Sequence, residues 1–84
     1  MAELSLYALQ DDFIAPVDFL LERLNATAGL EVTTNRMSTL VYGEQTLVLT
    51  TIDAVLRELR SRFGPVSLVC KLLPGAERTV NGYA

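Results

Sequence analysis

The stretch RMSTLVYGEQT, residues 36–46, carries the side chains in this chain most suited to holding a small molecule. Ser38 and Thr39 offer hydroxyls that both donate and accept, and adjacent positions of an extended strand turn them to opposite faces. Met37 is a soft, adaptable wall for a flat ring. Glu44, just past the apolar run, is a strong acceptor. Ser5 and Tyr7 in the first predicted strand add a third hydroxyl and an aromatic face, and Tyr42 adds a second ring. An aromatic face attracts a cation by about 0.5–2 kcal/mol, depending on desolvation. Such a set binds and orients.

Each of these residues also has a plain structural reading. Ser38 and Thr39 suit a strand next to a hairpin, Gly43 suits a turn, and Glu44 suits the approach to a helix N-terminus. Met37 serves as filler, and the tyrosines as packing between sheets. Catalysis finds less support. General acid–base work most often uses histidine, and the chain has none. Neither a glycine-rich phosphate loop nor a nucleophile elbow is present. We therefore expect no enzyme. Without histidine, the usual nitrogen and sulfur metal sites are also excluded. Asp11-Asp12 supplies too few ligands for a dedicated cation site and reads as a turn and helix cap. The arginines between Arg57 and Arg62 read as a solvated helix face.

The whole chain sets the frame. Its 84 residues allow one domain, residues 1–84, with residues 74–84 as a C-terminal tail of weak pattern. A chain this short is marginally stable, and its single cysteine, Cys70, permits no internal disulfide. Half the residues are hydrophobic and mean hydropathy is +0.31, apolar for a small monomer. Self-association would cover the excess. The net charge of −3 opposes binding to phosphate backbones. No apolar run approaches the ~20 residues needed to span a bilayer. No basic, apolar leader is evident, so a cytoplasmic location without nucleic-acid or membrane partners is expected.

The elements that must position these residues follow from periodicity. Glu3–Leu9 alternates as a strand, with Leu4, Leu6 and Ala8 on one face and Ser5, Tyr7 and Leu9 on the other. Asp12 reads as the cap of a helix over Phe13–Asn25, with Pro16 in its first turn and a stripe of Phe13, Val17, Leu20 and Leu24 widened by Ile14 and Leu21. Asp18, Glu22 and Arg23 face away. Leu30–Thr34 and Ser38–Tyr42 read as a hairpin turning at Asn35-Arg36. A second helix starts near Thr46 and ends at Gly64-Pro65, with Val48, Ile52, Val55, Leu56, Leu59 and Phe63 as its stripe. Val66–Leu73 is the last strand, and places Cys70 inward as a small unreactive hydrophobe.

The order strand, helix, strand, strand, helix, strand predicts an α+β, ferredoxin-like βαββαβ fold, with the first and third strands central in a four-stranded antiparallel sheet and both helices on one face. The opposite face collects Ser5, Tyr7, Leu9, Leu40, Tyr42, Val69 and Leu73. That face is half apolar, and a second copy is expected to cover it.

Three segments carry a resemblance: SLYAL in the first strand, AGLEV leading into the second, and MSTLVYGE in the third. Together they resemble the thiamine-binding, YkoF-like family of small ferredoxin-like proteins, over roughly Glu3–Leu72. Ala8 and Asn35-Arg36 stand where members often carry Pro and Gly-Pro. The resemblance implies non-catalytic binding of thiamine or its hydroxymethylpyrimidine portion by a homodimer or homotetramer. It implies a site built from Ser5, Tyr7, Met37, Ser38, Thr39 and Glu44, with no metal and no cofactor beyond that ligand. An aminopyrimidine needs donors and acceptors along one edge and a soft or aromatic surface against its ring, which these types supply. The competing expectation is a protein-interaction or regulatory module of the same fold without a vitamin ligand. RNA binding through exposed sheet tyrosines is a further reading, opposed by the acidic charge.

Overall fold

The computed structural model describes residues 1–9 and 14–75. Six elements follow in the order β1 (Ala2–Ala8), α1 (Ile14–Asn25), β2 (Glu31–Thr34), β3 (Thr39–Tyr42), α2 (Gln45–Phe63) and β4 (Val66–Leu72). The strands pair antiparallel in the order β2-β3-β1-β4, so β1 and β3 are central, as the alternation predicts. This is the ferredoxin-like α+β fold. The expected Asp12 cap, the Phe13 position and the tail beyond residue 75 lie outside the described residues. No described helix is long and apolar enough to cross a membrane.

One face of the sheet meets both helices. Ala2, Leu4 and Val41 from the central strands pack with Leu20 and Leu24 of α1 and with Val48, Ile52, Val55 and Leu59 of α2. Helical spacing places the α2 residues on one stripe, and that stripe matches the expected one. The α1 stripe differs. Its buried positions are Pro16, Leu20 and Leu24, spaced four apart, whereas Ile14 is exposed and Val17 only half-buried. Pro16 therefore serves the core as well as the first turn. Arg23, expected to face solvent, instead reaches Glu58 of α2 at 2.9 Å. It and Arg62 lie over the Phe19 ring at 5.0 and 4.9 Å, and Phe19 meets Phe63 edge-on at 5.8 Å. The pair is more than one-third exposed on both sides, so its stabilisation falls in the range of about 0–1 kcal/mol typical of surface pairs.

Cys70 departs from expectation in exposure. Its pairing opposite Leu4 places it on the helix side, as the alternation predicts, yet it is exposed. β4 is an edge strand, and only its first half, Val66 and Leu68, packs against the core beside Phe63. The cover ends before Cys70. Nearby protein still desolvates the sulfur enough to push its pKa up, which keeps it a thiol at neutral pH.

Two junctions owe their form to close approach. Gly43 follows β3, and a Cβ there would fall 2.7 Å from Cδ2 of Leu30 and 3.1 Å from the Gly29 carbonyl oxygen. Its role is thus to let the α1–β2 loop press against the β3–α2 junction, more than to turn the chain. Gly29, across from it, adopts φ +91°, a region that L side chains rarely enter. Glu44 then caps α2 from an extended conformation, accepting at 3.1 Å from the Leu47 N–H. The helix begins at Gln45, one residue before the predicted start. Thr50 donates back to the Thr46 carbonyl inside the helix, at 2.8 Å. Backbone N–H groups of Thr46 and then Leu47 hold the Glu44 carboxylate below the ordinary glutamate pKa.

These contacts give two tests. Gly43→Ala must displace Leu30 or the Gly29 backbone, and we expect a loss of ~1–3 kcal/mol in urea denaturation; a change under about 0.5 kcal/mol would show that the junction yields freely. For Glu44, whose folded pKa is depressed, the charge stabilises above the unfolded glutamate pKa of ~4.3 and stops doing so as pH falls through the folded value. The stability difference between wild type and Glu44→Gln should therefore be largest near neutral pH and shrink below ~4.3. A pH-independent difference would show that the charge plays no part in the cap.

Candidate functional site

A mismatch in strand length builds the site. β1 pairs with β4 along its whole length, from Ala2–Leu72 to Ala8–Val66, but with β3 only from Ala2–Val41 to Leu4–Thr39. Beyond Leu4 the chain of β3 is missing because the β2–β3 hairpin turns there. Asn35 makes the turn: its Oδ1 accepts from the N–H groups of Met37 at 2.7 Å and Ser38 at 2.8 Å, and its own N–H donates to the Ser38 carbonyl at 3.0 Å. The turn falls at Asn35-Arg36, as the sequence predicts, and a side-chain acceptor organises it.

Under this turn lies a cavity of about 270 Å³ between the free part of β1 and α1. Five of the six residues selected from the sequence, Ser5, Tyr7, Met37, Ser38 and Thr39, line it. Val17 and Leu20 of α1 contribute its apolar side. The sixth, Glu44, is not brought there. It stands at the other end of β3, on a separate space of about 90 Å³ beside Gly43 and Leu73.

The three hydroxyls differ in setting. Ser5 donates to the Met37 carbonyl at 3.3 Å, and Ser38 donates to Oε2 of Glu3 at 3.1 Å. Thr39 is 7% exposed and lines the cavity. Met37 is 85% exposed and Tyr7 56%, so both stand at the mouth, free to meet a ligand or another chain. Tyr42 is buried at 8% exposure, which removes one of the two tyrosines that an RNA stacking platform would need.

Sequence reasoning missed Glu3, which orients Ser38 and sits 3.6 Å from Lys71 across the β1–β4 pair. The i to i+2 face rule placed Glu3 beside Ser5 and was signal enough. It also missed the main chain of β1, which no side-chain pattern reveals. Another space, about 380 Å³, lies between the helices and touches Arg23, Thr27, Thr50 and Glu58. Arg23 pairs with Glu58 while its Nε is buried without a partner among the described residues, the Thr27 and Thr50 hydroxyls donate to helix carbonyls, and none of the six residues selected from the sequence lines this space. The cavity under the hairpin is the better candidate.

No family model matches the chain, and no curated protein matches it. Among solved structures, the chain is similar to the crystal structure of a hypothetical protein, MJ1052, from Methanocaldococcus jannascii, with a TM-score of 0.77 at 20% identity over 93% of this chain and 81% of that one. At that identity the likeness shows the fold alone, and it agrees with the ferredoxin-like arrangement described above.

Proposed function

We propose that the protein binds thiamine or its hydroxymethylpyrimidine portion without transforming it, and that it works as a homo-oligomer. The observation that carries this reading is that Ser5 and Tyr7 of β1, Met37 and Ser38 of the hairpin turn, and Thr39 at the start of β3 line one cavity. At about 270 Å³ the cavity lies at the small end of ligand sites, a size that suits one substituted ring better than a large cofactor. The likeness of SLYAL and MSTLVYGE to the thiamine-binding family supports the choice of ligand. Glu44 drops out of the site on this reading, because its carboxylate is committed to the α2 cap at the far end of β3.

Self-association is supported by the uncovered sheet face. Tyr7, Leu9 and Val69 are 56%, 64% and 48% exposed on the side away from the helices. A second copy lying on that face would bury them and close the mouth of the cavity at Tyr7 and Met37. At roughly 25 cal/mol per Å² of apolar surface removed from water, this is a substantial gain for a small domain.

Calorimetric titration with hydroxymethylpyrimidine and with thiamine tests the reading. We expect saturable binding at one or one-half site per chain. Thr39→Val keeps shape while deleting the hydroxyl, and should weaken binding by about three- to tenfold, the equivalent of one neutral hydrogen bond. Glu44→Ala should leave the affinity unchanged. A ligand at 100 times its Kd stabilises a fold by ~2.7 kcal/mol, so absence of both heat and thermal shift at millimolar ligand would overturn the reading and leave the protein-interaction module in its place.

A further inference from the structure

The main chain of β1 has a direction that can be read from its neighbours. Leu9 N–H donates to the Pro65 carbonyl at 3.3 Å, and Leu73 N–H donates to the Met1 carbonyl at 2.8 Å. Both pairs continue the β1–β4 register, in which Tyr7 faces Ser67 and Ser5 faces Val69. In an antiparallel pair the N–H and C=O of one residue point to the same side, and successive residues alternate. Odd-numbered residues of β1 therefore turn their polar main-chain groups toward β4, and even-numbered residues turn theirs toward β3. Ala2 and Leu4 meet Val41 and Thr39 there. Leu6 is next, and the same register would bring Met37 opposite it. Met37 does not complete that pair. Its N–H is taken by Asn35 Oδ1, its carbonyl accepts the Ser5 hydroxyl, and β3 begins only at Thr39.

We infer that the free N–H and C=O of Leu6 are the groups that read the ligand, and that they select a planar heterocycle carrying a hydrogen-bond donor and an acceptor on neighbouring atoms. The inference rests on the binding function proposed above and specifies which end of the ligand enters. In a regular ladder, the residue opposite Leu6 would present one N–H and one C=O side by side. The exocyclic amine and adjacent ring nitrogen of an aminopyrimidine present the same pair: the amine donates to the Leu6 carbonyl, and the ring nitrogen accepts from the Leu6 N–H. The ring thus takes the place of the missing rung of β3, next to Thr39, with the side chains of Val17 and Leu20 along the same cavity. A thiazolium offers no such donor–acceptor edge. The pyrimidine end is the recognised end.

Amide-resolved hydrogen exchange and NMR titration on the intact chain test this, with free 4-amino-5-hydroxymethyl-2-methylpyrimidine as the probe and its analogue bearing methyl in place of the amine as control. In the free protein, the Leu6 amide should exchange about tenfold or more faster than those of Ser5 and Tyr7, which are tied to β4. Saturating pyrimidine should slow Leu6 by a similar factor and leave Ser5 and Tyr7 unchanged. The methyl analogue should bind about tenfold more weakly, because the Leu6 carbonyl loses its donor. A Leu6 amide already as protected as Tyr7 in the free protein would overturn the inference before any ligand is added. Saturable binding with shifts confined to Gly43–Gln45 or to Thr27 and Thr51 would overturn it while sparing the binding function. No binding of the pyrimidine or of thiamine would overturn both.

Discussion

Asn35 closes the β2–β3 hairpin with one carboxamide oxygen shared by two amides, and the rest of the candidate site depends on where that closure falls. Because the turn is complete by Ser38, β3 has four residues while β1 has seven. The sheet then has a central strand that is paired on both sides for its first half and on one side for its second. A central strand with an open edge is unusual, since main-chain groups hidden from water normally find partners. Here the opening is roofed by the turn and walled by α1, so the unpaired groups of β1 lie in a shaped recess instead of on a flat sheet margin. A hairpin one rung longer would fill the space with chain.

The opposite end of β3 is packed more closely, leaving a space of only about 90 Å³. Gly43 lies so near Gly29 and Leu30 that a methyl group has no room, and Glu44 at once caps α2. This packing anchors the 19-residue helix that supplies four of the core side chains, Val48, Ile52, Val55 and Leu59. One end of the sheet is thus dense and the other hollow. That division separates residues that look equivalent in the sequence. Ser38, Thr39 and Glu44 sit within one short stretch, yet the strand between them carries the carboxylate to the structural end and leaves the hydroxyls at the recess.

What the sequence made legible follows from this contrast. Alternation in Glu3–Leu9 and helical spacing from Val48 to Phe63 are properties of a single element, and both gave the right faces and the right order of elements. The residues grouped at the cavity were also legible, because Ser5 and Tyr7 lie on a central strand beside the start of β3. The failures concern coverage, which is a property of several elements at once. Cys70 has the inward register, but nothing in its own strand records that the helical layer stops short of it. Ile14 fits the helical stripe and is still exposed, while Pro16, chosen only for its missing N–H, fills the core. Arg23 has a charge that suits solvent, and its aliphatic stem with a facing Glu58 and Phe19 draws it between the helices instead.

Main-chain direction is the deepest of these hidden properties. A side chain announces its chemistry by its letter, whereas every residue but proline carries the same N–H and C=O. Which of them are free depends on strand parity and on where a neighbouring strand ends. Leu6 is an unremarkable core residue by letter, and its side chain packs as one. Its backbone groups become distinctive only because Leu9 and Met1 fix the parity toward β4 and Asn35 ends β3 too early to reach them. Recognition through such groups tolerates extensive change in the side chains around them, provided the turn keeps its place. On this view the conserved quantity in a protein of this design would be the length of the hairpin more than the identity of the leucine, and the threonine beside it would tune affinity on a frame that the backbone supplies.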